Sequence, residues 1–115
     1  MNTYGQQFII ICTVGNRPTL PELLSFHGRK RTIDITEEIG TKYMKFGILL
    51  LKDKSGVKVT AIKQKHQGDA EQINIEILQE WLAGRGKEPV SWRTLIEVLR
   101  KTGLGALADD IEAVC

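Results

Sequence analysis

Beyond residue 19 the apolar side chains recur at the three- and four-residue steps of amphipathic helices. Ile35, Ile39, Tyr43, Phe46 and Leu50 follow one another at spacings of four, four, three and four, which lays them along one helix face. Asp34 with Glu37 has the form of a capping box ahead of this stripe. Gly40 and Gly47 interrupt it, each at about 1 kcal/mol relative to alanine, and predict a break near Gly40 and Thr41 into two shorter helices. "LKDKSG" then closes the segment as a turn. Ser55 is placed to cap the next helix, with Val59, Ile62 and His66 facing inward and Lys58, Lys63 and Lys65 on its flanks. Asp69, with Gln72 at the reciprocal capping position, opens a helix whose stripe is Ile73, Ile77, Leu78, Trp81 and Leu82. Ser91 caps one that buries Trp92, Leu95, Ile96 and Leu99. Gly103 stops it, and Leu104, Leu107, Ala108 and Ile111 form the inner face of the last helix. The stretch "FHGRKR", residues 26–31, reads as a basic loop, and no strand pattern competes with helix after residue 19.

Residues 1–16 stand apart as an N-terminal extension: a polar start, the β-branched run "FIIICTV" at 8–14, then "GNRP", which is turn chemistry. The segment reads equally as an added strand, a loosely packed arm or a piece foreign to the domain. The apolar run falls far short of the roughly 20 residues that span a bilayer. No basic residue precedes it, since Arg17 is the first, so a secretory signal is not expected and a cytoplasmic location is. Cys12 and Cys115 lie at opposite ends of the chain and suggest neither a disulfide framework nor a metal knuckle, only free thiols. With 115 residues, 42% of them hydrophobic, the chain has material for one core and not for two; residues 17–115 are taken as a single all-helical domain.

Little in the sequence could converge as a reactive centre. His27 falls in the basic loop and His66 at a helix end, neither with Cys, Asp or Glu at metal-ligand spacing. "GRGK" at 84–87 lacks the first glycine and the following Ser or Thr of a phosphate loop. The expectation is therefore a protein with no catalysis, cofactor, metal or small-molecule substrate. A net charge of +2 and a pI near 8.6 are mild for a nucleic-acid partner. As a helix-turn-helix reader, the last helix would present Asp109, Asp110 and Glu112 to phosphates, which opposes binding. A small helical nucleic-acid-binding protein, using the basic helix that carries Lys58, Lys63 and Lys65 and the "GRKR" loop, stays as the alternative.

The distribution of charge is more informative than its sum. Residues 17–66 carry eleven basic and five acidic side chains, whereas residues 67–84 carry four acidic and no basic ones. Such runs often mark only solvated helix faces. The other reading is a basic surface (Lys42, Lys45, Lys58, Lys63, Lys65) and a separate acidic one (Glu71, Glu76, Glu80), so that one copy's acidic helix meets another's basic face in a head-to-tail contact. Arg85, Arg93 and Ile75, which points off its helix's apolar stripe, join this candidate partner-binding set. Arg93, Glu97 and Arg100 have the spacing of intrahelical ion pairs. Asn74 falls inside the apolar stripe, where a buried amide needs hydrogen-bond partners.

The run "GDAEQINIEILQEWLAGRGKEPVSWRTLIEVLRKTGLGALADDIE", residues 68–112, resembles the second half of a death domain. The likeness lies in Gly68 and Asp69 at a helix entry, the Trp81-Leu82 pair near its end, Trp92 with Leu95, Leu99 and Arg100, and the final Leu107, Ala108 and Ile111. Upstream, Tyr43, Phe46 and Leu50 resemble the family's second helix, Val59, Ile62 and His66 its third, and "RPTLPELL" at 17–24 the lead-in of some invertebrate members. The chain departs in residues 24–39, longer and more basic than the usual first helix, in Asn74 at a usually apolar position, and in "FIIICTV", which has no counterpart. The resemblance implies a six-helix antiparallel bundle with Greek-key topology that binds other death-fold proteins, or itself, in apoptotic or innate-immune signalling, alone or as part of a larger receptor or kinase.

Overall fold

Most helix starts among the described residues are held by side chains that accept hydrogen bonds from otherwise unpartnered backbone N–H groups; the exceptions are the helices that begin at Tyr43 and Gly105. The computed structural model describes residues 17–28, 31–85 and 89–114. The readings made for residues 1–16, for Cys115 and for most of "GRGK" lie outside them. Helix α1 (Leu20–Leu24) opens with a capping box: the Thr19 hydroxyl accepts from Glu22 N–H, and the Glu22 carboxylate accepts from Thr19 N–H at 2.9 Å. A two-residue ladder follows, β1 (Phe26–His27) antiparallel to β2 (Thr32–Ile33), with Phe26 opposite Ile33. This corrects the expectation of a loop without strands. Phe26 and Ile33 point inward while His27 and Thr32 do not, but two residues are too few for that alternation to be legible. The Phe26 ring packs on Trp92, centroids 5.3 Å apart and tilted by 53°, so the hairpin is tied to the far half of the chain.

The break predicted near Gly40 is present. Helix α2 (Ile35–Ile39) is capped by Asp34 Oδ1, which accepts from Thr36 N–H (3.0 Å), Glu37 N–H (3.3 Å) and the Thr36 hydroxyl (2.6 Å). The cap lacks the return bond from Glu37 that a full capping box would have. A 3-10 turn (Gly40–Lys42), entered through Gly40 at φ +52°, leads into α3 (Tyr43–Leu51). Helix α4 (Val57–Lys65) begins at Gly56. Its free N–H groups go to Asp53 Oδ2, at 2.8 Å from Lys58 N and 3.3 Å from Val59 N, so Asp53 takes most of the role expected of Ser55, whose hydroxyl accepts only from Val57 N–H at 3.4 Å. Helix α5 (Ala70–Leu82) is capped by Asp69, and α6 (Trp92–Lys101) by Ser91, both as read from sequence. Gly103, at φ +87°, lets the chain turn into α7 (Gly105–Glu112). Counting the broken stretch 35–51 as one, the described residues form six helical units, and the fold is mostly helical.

Helix α5 is the axis, packing against α1, α2, the 3-10 turn, α3 and α4, while α6 joins α3 and carries α7. Its inward Ile73, Ile77, Leu78 and Trp81 are wholly buried, as are Phe46, Leu50, Val59, Trp92, Leu95, Leu99 and Ile111. Gly47 explains how close the helices come: a Cβ there would lie 2.8 Å from Val59 Cγ2 and 3.0 Å from Ile77 Cδ1. Asn74, fully buried on α5, donates both amide hydrogens across the interface, to the Thr36 carbonyl (3.2 Å) and the Gly40 carbonyl (2.9 Å). Both carbonyls lie at the interrupted end of α2; the Thr36 carbonyl also accepts from Gly40 N–H within that helix. An apolar residue at this stripe position would leave them without those donors. Asn74→Asp, which replaces the amide donor with a carboxylate facing two carbonyl oxygens, is expected to lower unfolding free energy by about 2–3 kcal/mol or more, read as a shift of the urea midpoint.

Candidate functional site

The two charge blocks of the sequence do not form two separate surfaces. Helices α4 and α5 pack side by side, and moving back along α4 from Lys65 to Lys58 matches moving forward along α5 from Glu76 to Glu80, as in antiparallel neighbours. Lys65 Nζ lies 3.0 Å from Glu76 Oε1. His66 Nε2–H donates to the same oxygen at 2.7 Å. Lys58 Nζ is 3.7 Å from Glu80 Oε2, and Arg85 Nη1 donates to Glu80 Oε1 at 3.0 Å. The Glu76 and Glu80 side chains are only 20% and 17% exposed. The expectation of an open acidic face is thereby corrected for these two residues: their carboxylates are met within the molecule by Lys58, Lys65, His66 and Arg85. Exposed ion pairs contribute only about 0–1 kcal/mol each to stability, yet they are enough to cancel the field that a partner would read.

Several residues of the basic set stay outside these contacts. Lys42, Lys45, Lys63 and Arg93 are exposed, and among the described residues none of them takes part in an ion pair. Lys42 Nζ sits 3.9 Å from where a Gly103 Cβ would be, beside the carbonyl end of α6, where a cation is favoured. Glu71 is exposed and unpaired on the first turn of α5. Ile75 is half-buried rather than exposed. Arg100 does not pair with Glu97 along α6. Its guanidinium reaches α7 instead, donating to Asp109 at 2.6 Å and Glu112 at 3.0 Å, while Arg31 bonds Glu38 at 2.7 Å and lies 3.6 Å from Asp110. A tertiary carboxylate in fixed geometry outcompetes a helical neighbour that must give up side-chain freedom for a few tenths of a kcal/mol.

Sequence reasoning missed a second feature, a groove of about 210 Å³ between α3 and α6 lined by Ile48, Leu49, Lys52, Lys54, Thr94, Glu97, Val98 and Lys101. Ile48 and Leu49 lie off the Tyr43–Phe46–Leu50 stripe, which is the signal that could have found it. Among the described residues there is no group of three or more His, Cys, Asp or Glu side chains placed to hold a metal ion, and no helix long and apolar enough to cross a membrane.

Partial burial of Glu76 acts to raise its pKa, but hydrogen bonds from His66 and Lys65, with their charges, outweigh it and hold the carboxyl below its ordinary 4.5. A depressed carboxyl contributes stability that is present above the unfolded value and lost as pH falls through the folded one. Glu76→Gln is therefore expected to show a shallower loss of stability than the parent below pH 4.5, measured by urea unfolding along an acid series.

No protein-family model matches the sequence, and comparison with curated proteins and with solved structures finds no match either.

Proposed function

We propose that the chain is a non-catalytic protein–protein interaction module of the death-fold type, a Greek-key six-helix bundle that engages other death-fold domains or further copies of itself in signal transduction. The observation that carries the reading is where the resemblance's residues fall. Trp81, Trp92, Leu95, Leu99, Ala108 and Ile111 are all buried without residue, as a family core would require, and the helices that display them carry polar side chains outward. The partner-facing part is the uncompensated basic set, Lys42, Lys45, Lys63 and Arg93, with Glu71 as the remaining acidic contact. Lys58, Lys65, Glu76, Glu80 and Arg85 are engaged with one another and hold the domain's own α4–α5 pair instead. Single contacts of this kind are weak and gain strength when several act together.

Surface charge of this type is screened over about 8 Å at physiological ionic strength. Light scattering is therefore expected to report association that declines from low to physiological salt and that is reduced by Lys45→Glu with Lys63→Glu. Association indifferent to salt and to the lysine reversals, or a shift of an oligonucleotide in a gel with no protein association, would overturn the reading, the latter in favour of a nucleic-acid binder.

A further inference from the structure

The groove between α3 and α6 has a chemistry of its own. Its floor is aliphatic: Ile48 and Leu49 are half-buried and Val98 is 5% exposed. Its rim carries Lys52, Lys54 and Lys101 against the single carboxylate of Glu97, with Thr94 completing the wall. Lys54 and Lys101 are exposed, and neither takes part in an ion pair among the described residues. At about 210 Å³ it is smaller than the roughly 300–1,000 Å³ of small-molecule pockets, which leaves room for one aliphatic side chain and little else. On α6 the lining residues Thr94, Glu97, Val98 and Lys101 fall three, one and three residues apart, so they share one face and Glu97 stands between Thr94 and Lys101.

We infer that this groove docks a short acidic peptide segment of a partner protein, one aliphatic side chain seated on Ile48, Leu49 and Val98 and flanking carboxylates held by Lys54 and Lys101. Charge complementarity selects the occupant's sign, and the floor selects its centre. Nucleic acid would need a dense basic surface to displace counterions and offers no aliphatic group for the floor. A membrane is flat, whereas these aliphatic side chains are recessed behind the lysines. Glu97 fixes the register: a carboxylate opposite it is repelled, so acidic residues lie beside the buried side chain and not in its place. The surface is separate from the Lys45 and Lys63 contacts proposed above and does not depend on them.

The test is fluorescence anisotropy of a labelled peptide with one leucine between pairs of glutamates, titrated with the full chain, and amide NMR shifts to locate the contact. Binding is expected to fall about tenfold in Lys54→Gln with Lys101→Gln, to fall likewise when the peptide leucine becomes alanine, to tighten in Glu97→Gln, and to be unchanged in Lys45→Glu with Lys63→Glu. Far-UV circular dichroism checks that each variant is folded. Absence of binding would overturn the inference. So would binding indifferent to Lys54 and Lys101, equal binding of the alanine peptide, or capture of phosphatidylserine vesicles or a single-stranded oligonucleotide through these lysines with the peptide inert. Failure of the Lys45 and Lys63 variant to alter self-association bears on the proposed module and leaves the groove untouched.

Discussion

Two hydrogen bonds from one buried amide tie the central helix to the break in residues 35–51. Asn74 sits in the middle of α5, the helix on which most of the others rest, and its Nδ2 group donates to the Thr36 and Gly40 carbonyls where α2 gives way to the 3-10 turn. A helix end facing a hydrophobic interior is costly unless its last carbonyls find donors. With Asn74 in place, the break can be buried, and the two halves of residues 35–51 can take different directions over the same axis. Among the described residues nothing donates to the Oδ1 atom of the same amide, and its structural part is as a donor.

From that arrangement follows the fate of the charges. Because α4 and α5 are neighbours, a change of sign along the chain became a set of contacts across an interface. Lys65 and His66 converge on Glu76; Lys58 and Arg85 converge on Glu80. Among the described residues Lys42, Lys45 and Lys63 take no part in these ion pairs, so the basic charge left for a partner is local to those side chains. The α6–α7 pair is held in the same manner by Arg100.

Most of the helical plan was legible in the sequence, because the signals that specify it are local. The Asp34, Asp69 and Ser91 caps, the stop at Gly103, the interruption at Gly40 and the inward stripe of α5 each depend on residues within a turn or two. Legibility ended where the decisive partner was distant in sequence. Asp53 rather than Ser55 serves α4 because the intervening turn folds its carboxylate back under the helix start. The β1–β2 ladder is too short to have a period, and Phe26 has its reason in Trp92, far away in the sequence. The candidate surface was read least well. Exposed lysines could be named, but which of them a neighbouring helix would neutralise is a matter of tertiary approach, and the α3–α6 groove is assembled from two segments that show no shared motif.

Gly47 carries a consequence for descent. Hydrogen is the only substituent that fits between Val59 and Ile77 as they stand, so three helices are registered against one another at a single point. A lineage that acquires alanine there must shorten residue 59 or 77 in step, or slide α4 outward and part Lys58 and Lys65 from their glutamates. Covariation among positions 47, 59 and 77 is thus the trace this contact would leave in a set of related sequences, and the internal ion pairs would drift wherever that trace is broken.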